Sequence, residues 1–420
     1  MPTKEPVKGM RDILPDEMRL RNDMLAVMRN VYGSFGFEQI ETPCMERIEN
    51  LQTNQGGDNE KLVFKVLKRG EKLAKAVQTS CMDELSDAGM RYDLTVPLAR
   101  YYARNAEKLP LPFKAMQIGP VWRADNPQQG RYRQFYQADI DILGDESPNA
   151  EIELVCATSL FLKQMGIAHQ VRINDRRLLP ALAATCGFEA GRYSDVFVVM
   201  DKLDKIGVGG VCGELRSIGC TEESVSAYRR ILEDFGEASD KLAYCEHALS
   251  SHVEAATLES LRAIETGVAA ITEGACAPCL DLSLVRGMGY YTGTIFEVES
   301  PEFGSSIAGG GRYDRMVGDF AGKPVPACGF SVGFERIIQV LLEKAQVEES
   351  DDKMAVLYER GQTIEQITRL QEEYQPLREA GKTVLVQKKA RNFARQKERL
   401  AAAGYGQVIV AHSDSAKGLL

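Results

Sequence analysis

The sequence has no long hydrophobic run. Its apolar stretches are far shorter than the roughly 20 residues that a transmembrane helix needs, and residues 1–6 contain no apolar export segment. We therefore expect no membrane attachment and a cytoplasmic location. With 420 residues, 44% of them hydrophobic, the chain can bury more than one core, so two or three domains are expected.

Histidine is scarce, and the cysteines follow no ordered pattern. Four histidines and ten scattered cysteines make no disulfide framework, so buried, reduced thiols are expected. The one CxxC motif joins Cys276 and Cys279, and no second pair accompanies it. Because a structural zinc site needs more ligands than this, a pair of packed thiols is the preferred interpretation, and no metal-ligating residue is assigned.

Positive charge is in deficit. The formal net charge of -9 argues against a protein that coats nucleic acid non-specifically, although a local basic surface is compatible with it. One basic run, at residues 382–399, has Glu398 as its only acidic residue. A solvated helix face explains this run as well as contact with RNA does. Its seven basic residues are Lys382, Lys388, Lys389, Arg391, Arg395, Lys397 and Arg399.

The order of predicted elements indicates an α+β domain built on a largely antiparallel sheet. Apolar residues at helical spacing after Pro15 predict a helix over residues 16–36. Short β-type runs separated by turn residues follow. These runs are residues 63–67, 113–118, 135–143, 291–298 and 328–332.

The remaining pattern divides the chain further. Residues 177–266 are mainly helical, with strand-like sequence only at 196–199, which predicts a helical insertion in a domain spanning residues 1–345. The acidic segment 346–352 suits a linker. Residues 353–420 show the order β, α, β, α, β, which predicts a small α/β domain.

The familiar phosphate-binding glycine loops are absent. Arginines can replace them, because a planar guanidinium binds phosphate oxygens in pairs. Residues 121–141 predict a hairpin with Arg123 at the end of its first strand and a second strand from about Tyr132. A phosphate, an adenine and a polar amino acid would suit it, although a charged, solvated hairpin has the same pattern. Strand alternation gives Arg133, Phe135, Gln137, Asp139 and Asp141 one common face.

This hairpin resembles motif 2 of class II aminoacyl-tRNA synthetases in its histidyl form, R-x-[DE]-x-P-x-x-G-R-Y-R-x-F-x-Q. Residues 36–43 resemble motif 1, and residues 329–336 resemble motif 3. Two further segments, 284–297 and 308–314, resemble the signatures specific to histidyl-tRNA synthetases. The resemblance covers about residues 7–345. It implies an ATP-using ligase with a six-stranded antiparallel core sheet, acting as a homodimer on L-histidine and tRNA(His).

The resemblance implies a set of polar side chains around bound histidine. A neutral imidazole has one N–H donor and one acceptor nitrogen, so a carboxylate and a phenol complement it. Asp141 is aspartate where many bacterial relatives have glutamate, and either side chain accepts the same bond. The implied residues are Asp93, Thr95 and Gln137 at the α-amino group, with Asp141, Tyr290, Tyr291 and Tyr313 around the imidazole and Arg123 and Arg286 near the carboxylate.

The resemblance also implies how ATP is bound. Arg123 and Arg336 correspond to the two arginines of the class at the α- and γ-phosphates, and Phe135 would stack on adenine. Arg131 and Asp125 complete this set. Mg²⁺ would neutralise the β- and γ-phosphates through Asp125 or nearby carboxylates.

Arg286 is the implied family-specific catalytic residue, beside Arg123 and Arg336. It would approach the α-phosphate close to the attacking histidine carboxylate and offset the charge that develops there. Replacement of Arg286 by alanine is therefore expected to remove several kcal/mol of transition-state stabilisation. Gly309, Gly310 and Gly311 would let backbone approach the bound histidine, with a plain turn as the alternative.

Two departures from the family pattern leave alternatives open. Gly289 replaces the aspartate of the commonest signature, and the last domain ends at Leu420, sooner than the anticodon-binding domain of the family. The alternatives are a non-catalytic regulatory subunit of ATP phosphoribosyltransferase and a histidine-activating paralogue with another acceptor. Retention of Arg123, Arg286 and Arg336 favours the synthetase.

Overall fold

The structure, a computed structural model, describes residues 3–52, 62–79, 82–127, 131–285, 291–344 and 350–411. Helices α1 to α15 are, in order, Pro15–Ser34, Ile48–Leu51, Gly70–Gln78, Thr95–Asn105, Asn149–Gln164, Leu178–Thr185, Tyr193–Met200, Leu203–Ser217, Glu222–Glu237, Lys241–Ala248, Ala255–Ile271, Asp314–Ala321, Phe334–Lys344, Ile364–Glu379 and Phe393–Ala402. Within the described ranges, none of these helices has both the length and the apolar character needed to cross a membrane.

The strands form one large sheet and two small ones. Strands β1 to β14 are, in order, Glu38–Ile40, Met45–Arg47, Lys65–Leu67, Ser86–Met90, Phe113–Trp122, Gln134–Leu143, Gln170–Asp175, Cys279–Leu280, Thr294–Ser300, Ser305–Arg312, Ala327–Val332, Ser350–Tyr358, Thr383–Lys388 and Tyr405–Ala411. The chain divides into two units, Met1–Val340 and Leu341–Leu420.

Helix α1 shows how local sequence sets an element. Pro15 occupies the first turn, where its missing N–H removes no hydrogen bond, and two acidic residues favour the same end of the helix dipole. Met24 and Met28 on its apolar face are fully buried. Gly36, with a φ of +82°, lets the chain turn after the helix. The helix predicted for residues 16–36 is confirmed, with ends shifted by one or two residues.

The large sheet has the strand order β1-β5-β6-β11-β10-β9-β7-β8. The six inner strands pair antiparallel with one another, in the order β5, β6, β11, β10, β9 and β7. The expected six-stranded antiparallel core is therefore present. A parallel strand borders it on each side, because β1 pairs with β5 and β8 pairs with β7 in parallel.

The β-type runs predicted at 113–118, 135–143 and 328–332 are confirmed as β5, β6 and β11. The run at 63–67 overlaps β3, which pairs with β4 in a separate small sheet. The run at 291–298 begins too early, since β9 starts at Thr294. The turn alternative for Gly309, Gly310 and Gly311 is wrong, because all three lie inside strand β10.

The predicted helical segment 177–266 contains helices α6 to α10 and most of α11. The strand-like sequence at 196–199 is helical and belongs to α7. Three of these four residues are buried or nearly so, so an apolar run packed on one side was mistaken for a strand. Helix α11 continues past residue 266 and packs against α5 and β7.

The second unit has the predicted order of strands and helices, with a parallel sheet in the order β13-β12-β14. Thr363 and Gln366 cap the start of α14 reciprocally, each side chain bonding the other's backbone N–H. Strand β12 begins at Ser350, so the last three residues of the predicted linker 346–352 are in a strand. Residues 345–349 lie outside the described ranges.

Candidate active site

The hairpin of β5 and β6 provides the platform of the site. Its unbroken register, which pairs Gln117 with Asp139 and Gly119 with Gln137, confirms the predicted alternation within β6. The strand begins at Gln134 instead of about Tyr132, so Arg133 precedes it. Arg123 directly follows β5, and its backbone N–H donates to the carbonyl of Arg133 at 2.9 Å. Residues 128–130 lie outside the described ranges.

Two rows of residues cross the sheet beside this hairpin. Each row contains a β6 carboxylate followed by small residues on β11 and β10, so neighbouring side chains can lie over the backbone of these small residues. One row is Asp141, Gly329, Gly311 and Ile295, and the other is Asp139, Ser331, Gly309 and Glu297.

Two tyrosines lie close to the first row. The hydroxyl of Tyr313 donates to Oδ1 of Asp141 at 2.6 Å. A methyl group on Gly329 would overlap Oδ1 of Asp141 and lie 3.1 Å from Cε1 of Tyr313. A methyl group on Gly311 would lie 3.0 Å from Cδ1 of Tyr291. The structure therefore places Tyr313 against Asp141 and Tyr291 beside Gly311 in the same row.

Three buried acceptor atoms line this face without a hydrogen-bond partner in the described part of the chain. They are Oε1 of Gln137, Oδ1 of Asp139 and Oδ2 of Asp141. The residues are at most 9% exposed. Buried acceptors are normally paired, so three of them on one strand face indicate a ligand rich in N–H donors. The amide of Gln137 is oriented by donating to Oγ of Ser331 at 2.9 Å.

Asp93 supplies a third buried carboxylate from another element. Its Oδ1 accepts from the backbone N–H of Val96, at 3.1 Å, in the first turn of α4. Thr95, the first residue of this helix, is half-buried beside it. The chain segment before α4 therefore delivers Asp93 and Thr95 as a unit, with the carboxylate fixed by the helix amide.

Burial changes the acid–base behaviour of these carboxylates. Desolvation raises the pKa of Asp93 to about 6, against the opposing effects of the Val96 amide and Arg123. It raises the pKa of Asp139 to about 7, helped by the negative charge of Asp93. Burial and the neighbouring Asp139 charge raise the pKa of Asp141 well above its ordinary value. A cationic group bound among them would stabilise their ionised forms.

These pKa values predict that the ligand-free protein loses stability as pH rises. The pKa of Asp139 is about 7 in the folded state, above an unfolded value of about 3.9. The stabilisation that Asp139 provides is therefore complete below pH 4 and is lost as pH rises through 7. The free energy of unfolding should fall by up to about 4 kcal/mol over this range. Urea unfolding between pH 4 and 8 should show this decline and a flatter profile for Asp139→Asn. Identical profiles for the two proteins would contradict the assignment.

Arg123 lies at the other end of the face. Its Nε donates to the carbonyl of Tyr92 at 2.9 Å, and its guanidinium carbon lies 5.2 Å from the centre of the Phe135 ring. The guanidinium is thus held against an aromatic ring by a hydrogen bond that uses only its Nε donor. This arrangement suits an anionic group next to a flat ring.

Arg336 occupies the first turn of α13, just after β11. Strands β5 and β11 both run antiparallel to β6, so Arg123 and Arg336 follow strand ends at the same edge of the sheet. Nη1 of Arg336 donates to the carbonyl of Ser306, and its guanidinium carbon lies 5.8 Å from the centre of the Phe303 ring. Two arginines therefore border one edge of the β6 face.

The other predicted site residues have no described contact with the buried carboxylates of β6. Arg131 is exposed before β6. The carbonyl of Asp125 accepts from Nε of Arg133 at 3.0 Å, which folds the hairpin base. Arg286 and Tyr290 lie outside the described residues. Ser331 was given no role from sequence, and Asp139 was placed on the common β6 face without a role of its own.

The CxxC motif lies apart from this face. Sγ of Cys276 is 3.1 Å from Oγ of Ser159, and Sγ of Cys279 is 3.5 Å from Nζ of Lys241. The two thiols thus have different polar partners. Across the described ranges, no group of three His, Cys, Asp or Glu residues is arranged to hold a metal ion, and the described cysteines are free thiols.

Replacing Gly329 with alanine is expected to displace the Asp141 carboxylate and to lower the free energy of unfolding. The new methyl group would overlap Oδ1 of Asp141, and displacing a buried carboxylate costs about 1–3 kcal/mol. Urea unfolding should show this loss in the free energy of unfolding. Gly191→Ala is the control, because nothing lies within 4 Å of its added methyl group. Equal behaviour of the two variants would show that the Asp141 position is not critical.

The inner antiparallel sheet, with arginines at one edge of a polar central strand, defines the class II aminoacyl-tRNA synthetase fold. Sequence comparison gives the family: residues 9–337 match the model described as Histidyl-tRNA synthetase. The chain belongs to the histidyl-tRNA synthetase family. The histidine–tRNA ligase of Leifsonia xyli is 40% identical over 98% of this chain and 96% of its own length. That of Porphyromonas gingivalis is 41% identical over 80% and 76%.

Solved structures agree with this assignment. The crystal structure of histidyl-tRNA synthetase from Nostoc sp. PCC 7120 has a TM-score of 0.79 at 27% identity, covering 98% of this chain and 92% of that one. A structure from Bacillus halodurans C, described as an ATP phosphoribosyltransferase regulatory subunit/histidyl-tRNA synthetase, has a TM-score of 0.76. It covers 98% and 99% of the two chains, but at 21% identity it shows the shared fold alone.

Proposed function

We propose that this chain is a histidine–tRNA ligase. The carboxylate of L-histidine attacks the α-phosphorus of ATP, giving histidyl-adenylate and pyrophosphate. A hydroxyl of the terminal ribose of tRNA(His) then attacks the histidyl carbonyl, giving histidyl-tRNA and AMP. The observation that carries this proposal is the set of three buried acceptors on β6 that have no hydrogen-bond partner in the described part of the chain.

Histidine fits these acceptors in two parts. Its ammonium group has three N–H donors, for which Asp93, Gln137 and Asp139 offer acceptors, with Thr95 alongside. Its imidazole N–H would be accepted by Oδ2 of Asp141, whose other oxygen is already bound by Tyr313. Tyr291 would pack on the ring. Tyr290 and Arg286 are proposed to complete the site from the segment outside the described residues.

ATP would bind at the arginine-bordered edge. Arg123 and Arg336 would contact the α- and γ-phosphates and Phe135 would stack on adenine, with Arg131 and Asp125 close to the nucleotide. Mg²⁺ normally uses one or two protein carboxylates and takes its other ligands from phosphates and water. Asp125 in the hairpin suits that limited role, and the metal would neutralise the β- and γ-phosphates.

The second unit is proposed to contact tRNA(His). Arg391, Arg395, Lys397 and Arg399, in and just before α15, are exposed, as is required for binding phosphates. We further propose a homodimer, and a catalytic domain of residues 1–345 joined by residues 346–352 to a domain of residues 353–420. Charging of tRNA(His) by the full chain at several salt concentrations would test the tRNA contact.

Pyrophosphate exchange tests the first step directly. Purified protein would be given ATP, labelled pyrophosphate and each amino acid separately, without tRNA. Exchange with histidine alone, followed by charging of tRNA(His), would support the ligase. Exchange without charging would favour a paralogue with another acceptor, and no exchange with any amino acid would favour the regulatory-subunit alternative. The comparisons do not favour that last alternative, since the matching family is the synthetase.

A further inference from the structure

A buried ion pair connects the first helix to the ATP edge of the site. Arg21 on α1 is only 4% exposed. Its Nη1 and Nη2 donate to Oε2 and Oε1 of Glu335, at 2.8 and 2.6 Å. Nη1 also donates to Oε1 of Glu17 at 3.0 Å. Paired bonds of this kind fix both the distance and the plane of the carboxylate.

Glu335 is next in sequence to Arg336 and also reaches β6. Its Oε1 accepts from the backbone N–H of Tyr136 at 3.2 Å, and Tyr136 directly follows Phe135. One carboxylate therefore links α1, β6 and α13. Phe135 is next in sequence to Tyr136, and Arg336 is next in sequence to Glu335. These two neighbours are the residues proposed to bind the adenine and the γ-phosphate.

A second layer surrounds this pair. Arg11 donates to both oxygens of Glu17 at 2.6 Å and to Oε2 of Glu335 at 3.2 Å. Its guanidinium carbon lies 4.7 Å from the centre of the Tyr132 ring. The carbonyl of Gly9 accepts from the backbone N–H of Arg133 at 2.7 Å. The segment 9–21 is thus fastened to the base of the motif 2 hairpin.

Aromatic rings close the remaining sides of the Arg21 guanidinium. Its central carbon lies 5.3 Å from the Tyr136 ring centre and 4.9 Å from that of Phe334. Phe334 and Tyr136 also pack on each other, with ring centres 5.5 Å apart. The guanidinium therefore sits between the residue preceding Glu335 and the residue following Phe135, in contact with both elements at once.

We propose that Arg21 and Glu335 are positioning residues for ATP, holding Arg336 and Phe135 at the separation that the nucleotide requires. This inference rests on the proposed function and adds residues that touch no substrate. Misplacing a binding group by about 1 Å can lower a reaction rate about 100-fold. A link between two motifs that bind opposite ends of one ligand is therefore a means of controlling its affinity.

A purely structural role makes a different prediction. Buried ion pairs contribute little net stability, whereas removing one partner leaves an uncompensated buried charge. If the pair served only folding, replacing both partners with uncharged side chains would restore stability and activity together. If it positions the ATP residues, the same double replacement would restore stability but not the affinity for ATP.

The test compares Arg21→Met, Glu335→Gln and the double variant with the unchanged full-length chain. We expect the Michaelis constant for ATP in histidine-dependent exchange to rise about tenfold in all three, with that for histidine unchanged. Thermal unfolding should show a loss of stability in Arg21→Met that the double variant recovers. Arg21→Lys, which keeps the charge but loses the paired geometry, should give a smaller rise and serves if Arg21→Met does not fold.

Arg19→Met is the control, because Arg19 lies on the same helix in an exposed pair with Asp16. It should leave both Michaelis constants unchanged. An unchanged constant for ATP in the folded Arg21 and Glu335 variants would overturn the inference, as would recovery of ATP affinity in the double variant. If the unchanged chain itself showed no exchange, the proposed function would fail first, which separates the two results.

Discussion

Arg123→Ala is expected to lower histidine-dependent pyrophosphate exchange about 10²–10³-fold, the usual cost of losing one donor to a developing negative charge. The side chain stacks on Phe135 and is held by the Tyr92 carbonyl, so its donors are arranged before ATP binds. The effect should appear mainly in the turnover number and in affinity for ATP. Initial-rate measurements at varied ATP and histidine would separate these terms.

Two further variants define the interpretation. Arg123→Lys retains the charge but loses the planar donor group, so it should recover only part of the activity. Arg216→Ala removes an exposed arginine paired with Glu222 on the helical segment and should behave as the unchanged chain. Near-normal exchange by folded Arg123→Ala would remove Arg123 from the catalytic assignment.

Asp141→Asn is expected to reduce kcat/KM for histidine about 100-fold. The amide replaces a charged acceptor, Oδ2, by a group that donates at one of its two positions, and loss of a charged hydrogen bond with its desolvated partner costs about 3 kcal/mol. The Michaelis constant for ATP should change little. Exchange assays at varied histidine concentration would measure the effect.

Asp141→Asn should not lose stability, although it loses activity. Because burial raises the pKa of Asp141, burying this carboxyl costs stability at pH 8, where the unfolded chain carries it ionised in water, and asparagine removes that cost. The melting temperature at pH 8 should equal or exceed that of the unchanged chain. Asp319→Asn, at an exposed position on α12, is the matched control. Loss of activity accompanied by loss of stability would indicate misfolding instead of a lost histidine contact.

Local sequence was sufficient for elements whose pattern is decided within one segment. The helix α1, the strands β5, β6 and β11, and the order of elements in the second unit all follow from periodicity and turn residues. The motifs were sufficient for the family, because the matched segments extend along the chain and the family model matches residues 9–337.

Strands with atypical composition were not found by pattern. β10 contains three consecutive glycines, which individually disfavour a strand. It is a strand because β9 and β11 pair with it on both sides, and pairing of this kind is decided by distant segments. β7 was not predicted, and the apolar residues 196–199 were mistaken for a strand, since short apolar runs have the same composition in both structures.

The sequence by itself determined the residue types of the site and their alternation along β6, because side-chain direction in a strand repeats every two residues. Only the tertiary structure decided which of these groups are buried together. It placed Asp93 from the start of α4 near Asp139 and Asp141, and it left three acceptors unpartnered in the described chain. It also joined Arg21 to Glu335, 314 residues away in sequence. Burial and long-range pairing depend on how the elements pack, so no local pattern contains them.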